Sequence, residues 1–226
     1  MSVHDGHRQR MMSKLLEHGI ETLAPHEVLE ILLYYAIPRQ DTNPLAHKLI
    51  ETFGSLHGVF DAPYEELLKV EGIGPKSAGL IKMIPPLLRV YASDETDGQI
   101  IDSAESVGAY FLPRFLGYER EIVLLLCLDN KNKAIACVKL SEGNINSTMV
   151  STRRIAEIAI KYNASAIVVA HNHPNGSAVP SREDIQTTRY IMNFCESFGL
   201  PFLDHVIVAD NDYISLAATG YFSSYR

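Results

Sequence analysis

Two histidines one residue apart, His171 and His173, and a carboxylate eleven positions later, Asp184, are the side chains whose types and spacing point most directly to chemistry. Alternate residues of a strand face the same side, so an H-x-H pair at a strand end presents two imidazoles together. The apolar run Ala166 to Ala170 leads into the pair, and Pro174-Asn175-Gly176 breaks the strand after it. Two imidazoles and one carboxylate, with a fourth position left to water, make up a donor set of catalytic zinc. Fe²⁺, Mn²⁺ or Co²⁺ also suit such donors. Each part has a plainer reading. Ser181-x-x-Asp184 behind Pro180 is a capping box with Asp in place of Glu, and an isolated H-x-H is commonly a surface or core pair. It is the combination, a strand-end pair with a carboxylate on the next helix, that favours a metal.

The elements that must position these residues lie in the second part of the chain. Glu121 to Leu128 (EIVLLLCL) and Ala134 to Leu140 read as a hairpin joined by the Asp129-Asn130-Lys131-Asn132 turn. Thr152 to Lys161 is helical, Ala164 to Ala170 is a buried strand, Arg182 to about Ser197 is a helix, and Phe202 to Val208 is a further strand. Mixed strands and helices over this length mean an α+β or α/β domain. The first part, His7 to about Tyr91, is helical throughout. Pro25, Asn43-Pro44 and Pro63-Tyr64 open successive helices, and the last, after Glu71-Gly72-Ile73-Gly74-Pro75, is expected to end near Pro85-Pro86. Ala92 to Gly98 is acidic and without apolar periodicity, so the linker is expected there.

Composition narrows the classes. The 226 residues are 46% hydrophobic and 21% charged, which excludes a disordered or collagen-like chain. The longest apolar run, Ile122 to Leu128, is far short of the ~20 residues of a membrane span. With no export signal and three cysteines that form no C-x-x-C pair, the expectation is a soluble cytoplasmic protein with free thiols. A net charge of −7 argues against non-specific nucleic-acid binding as the main activity.

His171-x-His173-Pro174, six residues, then Ser181-x-x-Asp184 matches the JAMM motif of MPN-domain metalloproteases at every defining position. The longer strings HNHPNGSAVPSRED and FLDHVIVADNDYISL resemble the bacterial RadC family, and the resemblance extends over nearly the whole chain. It implies a small helical domain with a helix-hairpin-helix turn over residues 1–96. An MPN (JAMM, cytidine-deaminase-like) mixed α/β domain would follow over residues 102–226. It implies Zn²⁺ on His171, His173 and Asp184, with Ser181 bonding the oxyanion of an amide undergoing hydrolysis. It also implies an upstream glutamate as general base: Glu121 is the choice, Glu119 the runner-up, and Glu157 less suited. The substrate would be an unidentified peptide or isopeptide. Asn172 stands where the eukaryotic deubiquitinating members carry Ser or Thr, so no ubiquitin substrate is transferred. Zinc deaminases need H-x-E with P-C-x-x-C, and β/α barrels need about 250 residues; neither fits.

The turn at Gly72, Gly74 and Lys76 offers a second expectation, weak DNA binding through backbone N–H groups at a helix start. Residues 1–98 carry nine Lys or Arg against fourteen Asp or Glu, which opposes it. The alternative to a hydrolase is accordingly a DNA-associated or protein-binding scaffold with a structural or inactive metal site. Asp204-His205 reads as a structural hydrogen-bonding pair or as a support that orients a zinc ligand. Arg153-Arg154 reads as a solvent-facing pair or a contact for an acidic substrate.

Overall fold

The computed structural model describes residues 3–96, 98–143, 150–174 and 176–221. Asp97 of the expected linker and Asn175 of the turn after His173 lie outside them. The chain forms two compact units, Met1–Leu87 and Leu88–Arg226.

The first unit is helical: α1 (Val3–His18), α2 (Pro25–Leu33), α3 (Asn43–Phe53), α4 (Leu56–Asp61), α5 (Tyr64–Lys69) and the start of α6 (Pro75–Thr96). Proline at the first turn opens α2 and α3, where its missing N–H has no helical partner to lose. Gly54, left-handed at φ 80°, closes α3. Leu29, Leu33, Leu49, Val59, Leu67 and Ile81 fill the core. Within it Glu30 accepts from Tyr34 Oη and Asn43 Nδ2 and bonds His7 Nε2, so the buried carboxylate is fully engaged. The short α4, capped by Ser55 accepting from the Gly58 N–H, was not expected from the sequence.

The expected stop at Pro85-Pro86 does not occur, and the acidic segment expected as a linker is helical through Thr96. Two prolines remove two N–H donors but leave φ helical, and tertiary bonds hold the turns beyond them. Arg114 donates to the Ser93 carbonyl and Thr96 Oγ1, and Arg89 donates to the Leu116 carbonyl. Periodicity was a poor guide because these turns are tied by hydrogen bonds rather than by an apolar face.

The second unit is a mixed α/β domain. Its strands are β1 (Ile122–Leu128), β2 (Ala134–Glu142), β3 (Ala166–Asn172), β4 (Phe202–Ala209) and β5 (Asp212–Ser215), in the order β2-β1-β3-β4-β5. β3 and β4 are parallel and every other neighbouring pair is antiparallel. Both central strands are buried on two sides, which explains their continuous apolar character. One sheet face packs Leu124, Leu126, Val168, Ala170 and Val206 with α7 (Ala104–Phe111), a helix the sequence reading missed. The other packs Val123, Leu125, Ile167 and Val169 with α8 (Thr152–Lys161) and α9 (Arg182–Phe198). β5 was also not expected; at four residues it carries too little pattern to read. No helix among the described residues is long and apolar enough to cross a membrane.

Gly108 of α7 is set by packing, since a Cβ there would lie 2.2 Å from Cζ of the Tyr213 ring on β5. Overpacking a site with so little freedom costs about 1–3 kcal/mol. Gly108→Ala is therefore expected to lower the unfolding free energy by that amount, and denaturant titration of Gly108→Ala, with and without Tyr213→Ala to open the space, checks it.

Candidate metal centre

The parallel pair and its crossover helix bring the donors together. β3 ends at Asn172, so His171 is its last residue on the α8/α9 face, and His173 follows directly, its N–H bonded to the Val208 carbonyl at 2.8 Å. α9 starts at its cap Ser181 and places Asp184 in the first turn. His171 Nε2 lies 3.1 Å from Asp184 Oδ1, His173 Nε2 lies 3.4 Å from Asp184 Oδ2, and the two Nε2 atoms are 3.0 Å apart. Ligand atoms of all three residues fall within 4.8 Å of one another. Zinc bonds of ~2.0–2.1 Å to tetrahedral donors imply donor-to-donor edges of roughly 3.3–3.4 Å, so the cluster fits such an ion with shifts of a few tenths of an ångström.

The expected capping box forms, and the same Asp184 belongs to a group of side chains that could hold a metal ion. Its Oδ2 accepts from the Ser181 N–H at 2.7 Å, and its own N–H donates to Ser181 Oγ at 3.1 Å. A carboxylate has two oxygens with two lone pairs each, so closing the cap leaves Oδ1 directed at His171. Ser181 Oγ accepts the cap bond and keeps its hydroxyl proton.

Hydrogen-bond polarity fixes the tautomers of both rings. His173 Nδ1 faces the Ser177 carbonyl at 2.9 Å; a carbonyl only accepts, so Nδ1 carries the proton and the Nε2 lone pair points to the cluster. On the other side Thr188 Oγ1, one turn after Asp184 on α9, donates to the Asp184 carbonyl at 2.6 Å. It must then accept from His205 Nδ1, 2.5 Å away. His205 Nε2 is left as an acceptor for His171 Nδ1–H at 2.8 Å, and the His171 Nε2 lone pair faces the cluster. The chain Thr188–His205–His171 thus orients the His171 ring from outside the cluster, as outer partners do for imidazoles that bind metals. The sequence reading left the role of His205 open and missed Thr188. The signal for Thr188 was its i,i+4 spacing from Asp184, which puts both on one helix face.

The charge states match the donor set. Burial pushes the His171 imidazole below its ordinary value against the pull of Asp184, and burial takes His205 well below it, so both are neutral near pH 7. Burial works against ionisation of Asp184, but the nearby His171 and His173 rings, reinforced by the Ser181 hydrogen bond, hold its carboxyl far below the usual carboxylate range. The Asp184 hydrogen bond raises His173.

Glu121 is half-buried directly before β1, whose ladder with β3 begins at Val123↔His171, and its charge bears on both rings. Glu119 is exposed, two residues farther from that ladder. Glu157 sits on the exposed side of α8 in ion pairs with Arg153 and Arg154, which accounts for those arginines. Asp204 does not share the role of its neighbour His205: it accepts from Ser215 Oγ and the Ala217 N–H and ties β4 to β5. Cys127 and Cys195 are buried thiols, pushed up to about 11 and about 12 by burial.

The residues expected at the helix-hairpin-helix turn are in the first unit. Gly72 is left-handed at φ 97°, and a Cβ there would meet Leu45 Cδ1 at 3.3 Å, so its identity is set by conformation and packing on α3. The Gly74 N–H donates to Ser77 Oγ at 3.0 Å, a bond within the turn. Lys76 is exposed, while nearby Lys69 pairs with Glu66 and Lys48 with Glu71.

Two outcomes are expected when zinc is titrated into this candidate site. His205→Ala should weaken zinc binding about 10- to 100-fold without removing a ligand, measured by competition with a chromogenic chelator. A proton on His173 competes with the ion, so affinity should rise with pH and fall by up to about tenfold per unit below the raised His173 value. Calorimetry in buffers of different ionisation enthalpy would detect the proton released on binding below that value.

Comparison with known proteins places these features in a family. Residues 101–221 match the RadC-like JAB domain, which belongs to the MPN/JAMM superfamily, and residues 6–79 match the UPF0758 N-terminal family. A UPF0758 protein of Fusobacterium nucleatum is 34% identical over 223 residues, covering 95% of this chain and 96% of its own. One from Ruegeria pomeroyi is 34% identical over 216 residues, with the same 95% and 96% coverage. With the JAB match spanning the sheet and its metal-type cluster, and the relatives aligned almost end to end, the chain belongs to the UPF0758 (RadC) family.

Proposed function

We propose that this chain is a zinc-dependent hydrolase of metallopeptidase type, acting on the carbonyl of a peptide or isopeptide. The observation that carries the reading is the convergence of two Nε2 lone pairs and Asp184 Oδ1, with every other polar contact of the rings already arranged around them. His171, His173 and Asp184 would hold the zinc, which would supply Lewis acidity for the substrate carbonyl and lower the pKa of the attacking water.

The chain's own residues supply the proton transfers and the charge stabilisation. Glu121 takes the proton of the attacking water and delivers it to the departing amine. Water adds across the amide: the carbonyl carbon gains oxygen, the C–N bond breaks, and the nitrogen leaves protonated. The Ser181 hydroxyl donates a hydrogen bond to the oxyanion, since its Oγ lone pair, not its O–H, serves the α9 cap. Ser181 is exposed at the helix start, so a substrate oxygen reaches it without unfolding the turn. His205 and Thr188 keep His171 in the tautomer that binding requires.

A panel of fluorogenic peptide and isopeptide reporters, run against wild type, Glu121→Gln and His173→Ala, tests this. Glu121→Gln should keep about one zinc per chain and lose turnover by ~10²–10⁴-fold, the usual contribution of a positioned acid–base group. His173→Ala should lose the metal. A zinc content near zero in gently purified wild type would count against the enzyme, and hydrolysis by Glu121→Gln at the wild-type rate would remove Glu121 as the base. Salt-sensitive DNA retention by a full chain that carries no zinc would instead support the scaffold alternative.

A further inference from the structure

The residue between the two histidines makes contacts that neither metal binding nor the family resemblance calls for. The main-chain ladder between β1 and β3 reaches Val123↔His171. One residue beyond it, the buried side chain of Asn172 takes over the pairing. Asn172 Oδ1 accepts from the Ile122 N–H at 2.7 Å, and Nδ2 donates to the Arg120 carbonyl at 3.1 Å. A flipped carboxamide would set donor against donor and oxygen against oxygen, so the orientation is forced by its partners. These two bonds bracket Glu121. On its other edge the Glu121 carbonyl accepts from the Gly143 N–H at 2.8 Å. The backbone of residues 120–122 is therefore gripped from both sides, and Glu121 lies two residues before Val123, the strand partner of His171.

We propose that Asn172 is a positioning residue that holds Glu121 against the metal centre by pairing its carboxamide with the main chain on either side of that glutamate. The inference rests on the hydrolase reading for its catalytic consequence, but the grip itself does not. A carboxamide is the side-chain group that offers a donor and an acceptor in peptide-like geometry. Aspartate keeps the acceptor for Ile122, loses the donor to Arg120, and adds a negative charge beside Glu121. Serine has a single oxygen and is too short to reach both partners. The H-N-H order thus serves two purposes: alternate residues face the ion, and the residue between them reaches across to the strand that carries the base.

The test uses the full chain as wild type, Asn172→Ala, Asn172→Asp and Glu121→Gln, with thermal melting to verify folding. Amide hydrogen exchange by NMR on the metal-free protein reads the grip. Exchange at Ile122 should accelerate by about tenfold or more in Asn172→Ala, as loss of one buried hydrogen bond implies, and stay near wild type in Asn172→Asp and Glu121→Gln. Loading with Mn²⁺ reads the position of the base: broadening of the Glu121 carboxyl carbon should be strong in wild type and reduced in Asn172→Ala. Zinc content should be unchanged in both Asn172 variants. On any reporter the wild type cleaves, Asn172→Ala should lose kcat by about 10²-fold with KM little changed, the penalty of a misplaced group. Unchanged Ile122 exchange or unchanged Glu121 broadening in Asn172→Ala would overturn the proposal, as would zinc loss like that of His173→Ala. If no variant cleaves any reporter while exchange and broadening change as expected, the hydrolase reading falls and the positioning role stands.

Discussion

The carboxylate of Asp184 is buried at the first turn of α9, facing His171 through one oxygen and His173 through the other. Removing an ionised carboxylate from water costs several kcal/mol unless partners compensate it. Here compensation comes from two imidazoles, from the N–H of Ser181, and from the positive end of the helix dipole. The same arrangement turns two ring nitrogens and the carboxylate oxygens toward one another, a grouping that could hold a metal ion.

The sheet topology makes the arrangement possible. A parallel connection from β3 to β4 requires a crossover, and α9 within it returns along the face on which His171 and His205 lie. Asp184 and Thr188, one turn apart on α9, then meet two neighbouring strands at once. Carbonyl oxygens terminate the hydrogen-bond paths at Ser177 and at Asp184. Because a carbonyl cannot donate, the proton positions along each path follow from its end point. Preorganisation here is a property of the backbone, transmitted through side chains.

Much of this was legible in the sequence because it depended on local pattern. The strands around EIVLLLCL and ASAIVVA, the helix Thr152 to Lys161 and the helix after Ser181 all emerged from apolar periodicity and capping residues. The grouping of His171, His173 and Asp184 was legible from their spacing and types. What escaped depended on tertiary contacts. The second half of α6 is held by Arg114 and Arg89, and nothing local to residues 92–96 announces it. β5 is short and defined by its pairing with β4. The partnership of Thr188 with His205 joins residues seventeen apart, and that of Asn172 with Ile122 joins residues fifty apart.

The double duty of Asp184 bears on how relatives of this chain are read. Its carboxylate closes the capping box of α9 as well as facing the rings, so a lineage that abandoned the chemistry would still be under selection to keep an acid there. His171 and His173 carry no comparable burden for the helix. Loss of an imidazole with retention of the aspartate is therefore the signature by which a retired member would be recognised, and the aspartate alone is poor testimony of activity.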